Sequence, residues 1–398
     1  MNIHTPVPRV RPLRGSGAFL FAALWLLGAG AVFAQAPVAA PSLAARSWFL
    51  MDVTTGQTLA TQESDQKIEP ASLTKLMTAY LSFTALRDKR LALDQRPLVS
   101  TAAYKAEGSR MFVDPAKPAT VEELLNGMIV QSGNDASIIL AEAIAGNEGA
   151  FAQLMNKEAQ RIGLKNTQFR NATGLPDPQH YSTARDLAIL AARLIVDFPD
   201  YYTLYSKKEY TYNNIKQPNR NRLLFIDPTV DGMKTGHTEA AGFCLIASSK
   251  RDQPGAGFAR RLLSVVLGAG SESARAIESQ KLLNFGFQNF DDAKVFAKGQ
   301  AAATYEVWKG KTTQVQAGFD QDVLVTVPKA SAEKLKADIE RTKPLLAPIA
   351  VGQRIGTLRV RLDDKVLAER PVLAMAAVEE AGFFGRQWDS VRLWFNSK

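Results

Sequence analysis

The chain has 398 residues, 46% of them hydrophobic and 22% charged, which excludes a disordered or low-complexity protein and is more than one ordinary domain needs. Its net charge of +9 comes without a basic run interleaved with aromatics, so nothing points to nucleic acid as a partner. One cysteine, Cys244, excludes an internal disulfide, and three histidines without metal-ligand spacing give no ground for expecting a metal or another cofactor.

At the start, Arg9, Arg11 and Arg14 precede the apolar run "GAFLFAALWLLGAGAVF" and the small residues of "AVFAQA". That order reads as a secretory signal peptide over residues 1–34, cleaved after Ala34 or Ala36. The alternative, an uncleaved anchor, conflicts with a run short of the roughly 20 residues a span requires. Cleavage would remove three arginines and leave +6, a balance compatible with anionic membrane or wall surfaces.

"RSWFLMDVTTGQTLATQ" alternates around Thr55-Gly56 and predicts a β-hairpin. Pro70 opens a helix that holds Ser72 and runs to about Leu86, and helical periodicity returns from Val121 to about Arg161. "FRNATGLPDPQHYSTARD" reads as a loop, followed by a helix capped by Ser182 or Thr183. Strands are expected at "KEYTYNN", "GFCLIASSK" and "RRLLSVVLGAG", with Cys244 as a core thiol in the second, and a helix from Ser271 to about Phe285. Strands, then helices, then strands define an α+β domain with a mainly antiparallel sheet ending near Phe290. Short alternating strands with glycine turns then predict a small all-β domain to about Pro371.

The last stretch places Val378, Ala381, Phe384, Trp388, Val391 and Trp394 or Phe395 at helical spacing, with Arg386, Arg392 and Lys398 elsewhere. It reads as an interfacial amphipathic helix over residues 376–398, too polar to span a membrane, its start weakened by Gly382 and Gly385. The competing reading is a helix packed on the β domain.

Ser72 and Lys75 lie three residues apart on one helix face, in "PASLTKLMTAY". A lysine there is costly unless it works, and once deprotonated it can take a serine proton. The pattern alone is weak, since "SAEK" at Ser331 to Lys334 repeats it in what reads as a solvated helical stretch. Its company raises the first copy: Ser132-Gly133-Asn134 follows, then Lys234-Thr235-Gly236. Ser-x-x-Lys, Ser-Asp-Asn and Lys-Thr-Gly form one catalytic set in serine β-lactamases and penicillin-binding proteins. On this reading Ser132 relays a proton between Lys75 and the leaving amine, and Asn134 orients Lys75 and holds a substrate amide. Lys234 lowers the Lys75 pKa and draws an anionic substrate end, while Gly236 keeps an edge strand bare for a substrate backbone. The N–H groups of Ser72 and His237 can form an oxyanion hole. A Ser-His-Asp triad is the rival; His180 sits in a Pro-rich loop, His237 follows a strand glycine, and no G-x-S-x-G elbow exists.

The sequence resembles the low-molecular-weight penicillin-binding proteins, the serine D-alanyl-D-alanine carboxypeptidases, over nearly its whole length: "PASLTKLMTAY", "SGNDA", "NATGLPD", "NRNRLL", "DGMKTGHTEAAGF" and "LGAGSESAR…KLLNFGF" carry the likeness. The resemblance implies a β-lactamase/transpeptidase-like α+β domain, here residues 35–290, a small β domain at 291–371 and a membrane-anchoring tail. It implies removal of the terminal D-Ala from peptidoglycan pentapeptide, acylation of Ser72 by penicillin, a carboxylate contact from Arg275 and a secondary role for Arg220. It also implies a periplasmic enzyme attached to the outer face of the inner membrane. The middle motif is Ser-Gly-Asn, as in this group. "EELLN", Glu122 to Asn126, imitates a β-lactamase deacylation motif but precedes Ser132, so penicillin is expected to stay attached. The alternatives are a D,D-endopeptidase acting on cross-links, which the β domain disfavours, and a non-catalytic penicillin-binding wall protein, which the intact motifs disfavour.

Overall fold

The computed structural model describes residues 38–342 and 344–396; the expected signal peptide with its cleavage sites, and Lys398, lie outside the described residues. The N-terminal part is built on an antiparallel five-stranded sheet: β1 (Ser47–Asp52), β2 (Thr58–Gln62), β5 (Val230–Thr238), β6 (Gly242–Asp252) and β7 (Ala259–Ala269), in the order β2-β1-β7-β6-β5. A separate hairpin, β3 (Glu209–Tyr212) and β4 (Ile215–Pro218), stands apart from it. Every residue of β1 is buried because successive side chains serve two layers. Trp48 and Leu50 meet Leu282 and Leu283 of helix Glu272–Asn289 on one face, and Phe49 and Met51 join the helical subdomain on the other. Helix Lys75–Arg87 is the axis of that subdomain, buried at all but two of its positions, as an all-round apolar helix must be.

The helical stretch expected from Val121 to Arg161 is broken. Helix Val121–Asn126 continues as a π-turn, Gly127–Gln131, and stops where Ser132 adopts a left-handed φ of 69°. Helices Asn134–Ala145 and Glu148–Arg161 follow. Of the two cap candidates, Thr183 caps helix Ala184–Asp197, its hydroxyl accepting from Asp186 N.

The C-terminal part pairs β8 (Phe290–Phe296) with β11 (Val323–Pro328) and packs them beside a second antiparallel sheet. This sheet joins β9 (Ala301–Glu306), β10 (Gln314–Gly318), β12 (Leu335–Arg341), β13 (Arg354–Leu362) and β14 (Lys365–Ala374) in the order β12-β13-β14-β10-β9. Two expectations are corrected here. The β fold runs past Pro371, since β14 reaches Ala374 and Val378 is buried in its core and bonded to Ile349. Val378 and Ala381 therefore lie outside the tail helix, which spans Phe383–Asn396: it begins after Gly382 and contains Gly385 in its first turn. The second correction concerns Ser331: it is buried, not solvated, in a short 3-10 turn with Lys334 exposed.

The two parts meet at a buried charge cluster. Arg260 of β7 lies between Asp52, at 2.9 Å, and Asp292 of β8, at 3.1 Å. Thr326 donates to Asp292 and shares a 2.7 Å hydroxyl bond with Thr55, while Gln57 exchanges two amide bonds with the Thr326 backbone. One guanidinium faces two carboxylates, and burial together with the negative charge of Asp52 pushes the Asp292 carboxyl up to about 7. Folded Asp292 thus keeps a proton that the unfolded chain releases near pH 3.9, so the stability it contributes falls as pH rises from about 4 to about 7. Asp292→Asn is expected to remove that fall, which is at most about 1.4 kcal/mol per pH unit. Melting temperatures compared between pH 5 and pH 8 would show the variant gaining on the wild type with rising pH; parallel curves would refute the assignment.

Candidate active site

Ser72 is held in a 3-10 turn, Ala71–Thr74, that precedes the helix proper, so the helix begins only at Lys75. Packing enforces the turn. A Cβ on Gly174, at a φ of +82°, would lie 1.8 Å from the Ala71 carbonyl oxygen, so the loop can close on the turn only with glycine there. On the opposite side Gly236 fills the same role, since a Cβ would lie 3.1 Å from Pro70 O and 3.3 Å from Ala71 Cβ. The edge position expected for Gly236 is present, because β5 ends the sheet, but its missing side chain makes room for the Ser72 turn.

Lys75 is buried, and its Nζ has three acceptors: Ser72 Oγ at 3.0 Å, Asn134 Oδ1 at 2.7 Å and the Thr173 carbonyl at 2.6 Å. Burial, helped by the positive charge of Arg220, holds its pKa down at about 7. Lys75 and Lys234 disfavour each other's positive charge, as the motifs lead one to expect, and Arg220 adds to this at Lys75; burial together with Lys75 holds Lys234 well below its ordinary range. Lys234 Nζ donates to Ser132 Oγ at 3.0 Å. The Ser132 hydroxyl is therefore tied to Lys234, and the relay expected from Lys75 does not exist as a direct bond among the described residues. The π-turn and the left-handed Ser132 place Ser132 and Asn134 side by side at the head of helix Asn134–Ala145. Asn134 Nδ2 is fixed by Glu107 O, and Asp135 accepts from the N–H groups of Met111, Phe112 and Val113, pinning that loop beside the site.

These groups open on a cleft of about 420 Å³ lined by Ser72, Ser132, Arg220, Thr235, His237 and Arg275, among others. Arg275 donates to Gly236 O at 3.3 Å and lies 3.6 Å from Glu272, and the ring of His237 packs 4.1 Å from that of Phe243. The cleft thus offers a serine beside a buried amine together with two guanidinium groups, Arg220 and Arg275, and one carboxylate, Glu272, a lining that suits attack on a carbonyl that precedes a carboxylate. For His180 the triad alternative fails on geometry. His180 is buried behind the turn, where its Nε2 shares a 2.9 Å bond with Thr74 Oγ1, and burial pushes its pKa down to about 4. The Thr173 carbonyl is not foreseeable from the sequence, because a backbone acceptor on a loop leaves no side-chain signal.

Fold and site together define a serine acyl-transfer hydrolase with a lysine beside its serine. Residues 34–271 match the D-alanyl-D-alanine carboxypeptidase family (Peptidase S11), and residues 290–380 match the C-terminal domain of penicillin-binding protein 5. The D-alanyl-D-alanine carboxypeptidase DacC of Escherichia coli (strain K12) is 41% identical over 400 residues, covering 98% of each chain. The crystal structure of penicillin-binding protein 5 from Haemophilus influenzae superposes with a TM-score of 0.80 at 41% identity, covering 86% of this chain and 100% of that one. Penicillin-binding protein D2 from Listeria monocytogenes, in its ampicillin-bound form, superposes with a TM-score of 0.54 at 30% identity, covering 63% and 99%. The chain belongs to the D-alanyl-D-alanine carboxypeptidase family.

Proposed function

We propose that the enzyme removes the terminal D-Ala from peptidoglycan pentapeptide through an acyl-enzyme on Ser72, and that penicillin acylates the same serine. The observation that carries this is the buried Lys75 amine 3.0 Å from Ser72 Oγ, where Ser72 lines a cleft that Arg220 and Arg275 also line. Neutral Lys75 takes the Ser72 proton as Oγ bonds to the carbonyl carbon. The N–H groups of Ser72 and His237 receive the oxyanion. The proton taken by Lys75 passes by way of Ser132, which Lys234 holds, to the leaving amine as the peptide bond breaks; water then bonds to the acyl carbon, its proton returning to Ser72 Oγ as the ester bond breaks. Asn134 orients Lys75 and the substrate amide. Lys234, Thr235 and Arg275 receive the terminal carboxylate, Gly236 and its strand align the peptide, and Arg220 acts on Lys75 through its charge. Incubation with a pentapeptide ending in D-Ala-D-Ala tests the reading. Release of free D-Ala with one penicillin bound per Ser72 supports it; cleavage of cross-linked dimers alone would indicate the endopeptidase, and an adduct without turnover a non-catalytic binder.

We infer also that residues 1–34 export the chain to the periplasm, that residues 35–290 form the peptidase domain, and that the β domain lifts the site above the outer face of the inner membrane. Phe384, Trp388 and Phe395 of the tail helix are 87%, 67% and 66% exposed, while its polar side leans on the β domain. Asp389 accepts from Lys309 N there, and Arg392 lies 5.2 Å from the Trp308 ring. An outward apolar face suits the headgroup boundary. With Arg386 paired to Glu380 and Arg392 beside Trp308, lipid attraction rests more on the aromatics than on charge. No helix among the described residues is long and apolar enough to cross a membrane. Deletion of residues 383–398 is expected to abolish sedimentation with anionic liposomes and leave the rate on small peptides within about twofold. Full-length protein that ignores liposomes at low salt, or a truncation that unfolds, would favour a purely packed helix.

A further inference from the structure

Asn171 belongs to none of the three motifs, yet its side chain organises one short turn completely. Its Oδ1 accepts from Thr173 N at 3.2 Å, Thr173 Oγ1 at 3.0 Å and Gly174 N at 2.7 Å, and its Nδ2 donates to Leu175 O at 3.0 Å. A loop without a backbone ladder keeps one conformation when a side chain takes up its donors in this way. The carbonyl this turn presents outward is that of Thr173, which accepts from Lys75 Nζ at 2.6 Å. The preceding carbonyl, of Ala172, accepts from Thr78 Oγ1 at 2.7 Å, one residue triplet further along the same helix. Both contacts clamp the 171–175 turn to the helix that carries the lysine.

A neutral lysine amine has two N–H bonds and one lone pair. Asn134 Oδ1 and Thr173 O are the two shortest acceptors around Lys75 Nζ, at 2.7 and 2.6 Å, and Ser72 Oγ is the third neighbour at 3.0 Å. With the two N–H bonds spent on the first pair, the lone pair is left facing the Ser72 hydroxyl. Asn134 supplies one of these acceptors from a motif; the other is a loop carbonyl and needs something to aim it.

We infer that Asn171 is a positioning residue for the acylation step: by holding the 171–175 turn it aims the Thr173 carbonyl at Lys75 and so turns the amine lone pair toward Ser72. This rests on Ser72 and Lys75 acting as nucleophile and base. Two variants test it by the second-order rate of penicillin acylation between pH 5 and pH 9. Asn171→Ala leaves three donors without their acceptor, and its acylation is expected to fall about tenfold to a hundredfold while circular dichroism stays native. Asn171→Asp keeps an acceptor for the same donors and adds a negative charge that favours protonated Lys75. Its rate at pH 9 should recover to within about threefold of wild type, with the acid limb moved up by about half a pH unit or more. A folded Asn171→Ala that acylates within about twofold of wild type overturns the inference, as does an Asn171→Asp that is equally slow at every pH with an unmoved limb. If Asn171→Ala does not fold, the position of the Asn171→Asp limb decides. Ser72→Ala is measured alongside: labelling that survives there would refute the nucleophile itself, whatever Asn171 does.

Discussion

Ser72→Ala is expected to abolish both D-Ala release and covalent penicillin labelling, lowering the rate by a factor of about 10,000 or more. The loss follows from the arrangement, since among the described residues the hydroxyl bonded to the buried amine of Lys75, at 3.0 Å, is that of Ser72. The fold should survive, because the turn is held by Gly174 and Gly236 closing on its backbone and by Thr74 bonding to His180, none of which uses the Ser72 hydroxyl. The competing Ser-x-x-Lys copy gives a sharp control. Ser331 is buried in the β domain and Lys334 is exposed, so the second pair lacks a shared cleft. Labelling that persisted in Ser72→Ala, or moved to Ser331, would overturn the assignment.

Lys75→Arg is expected to be slower in acylation by about a hundredfold to ten-thousandfold, the range a general base contributes. Arginine keeps the positive charge and the hydrogen-bond donors but cannot give up its proton inside a protein. Wild-type Lys75, held at about 7 by burial and by Arg220, is charged below that pH and neutral above it. The base works only when neutral, so wild-type acylation should climb through about pH 7 and level off above it, while the arginine variant lacks that limb. Rates within about tenfold of wild type, or about 1.4 kcal/mol, would show that the charge of residue 75 matters and its basicity does not.

Side-chain chemistry at fixed spacing is legible in the sequence; backbone chemistry is not. Ser72, Lys75, Ser132, Asn134 and Lys234 stand in short patterns; Ser72 and Ser132 line one cleft, with Lys75 bonded to Ser72 and Asn134, and Lys234 bonded to Ser132. Arg275 and Arg220 come only through resemblance, because they reach the cleft from helix Glu272–Asn289 and from the segment after β4, far from the motifs in sequence. The carbonyl of Thr173 leaves no pattern to read. Nor does the joint around Arg260, whose partners Asp52 and Asp292 are 208 and 32 positions away and look like ordinary surface carboxylates in the sequence. Periodicity locates the helical middle but runs through Ser132, since the π-turn that displaces it keeps its apolar residues buried like those of an α-helix. At the other end, aromatic spacing carries the expected tail helix back to Val378, a residue that belongs to the β-domain core.

Cys244 lies in β6 directly opposite Gly236, fully buried, with burial pushing its thiol up to about 11. Such a thiol is both shielded and protonated at neutral pH, so it does not react while the strands stay paired. As the chain's single sulfhydryl, it makes the protein its own clock for the opening of the core beneath β6. The rate at which a small alkylating reagent modifies it reads the free energy of the opening that uncovers this face of β6, where the thiol packs in the core shared with the helical subdomain, without an added label. Slower alkylation once the cleft is filled would measure, at a residue that takes no part in the chemistry, how tightly an occupant ties down the strand beside it.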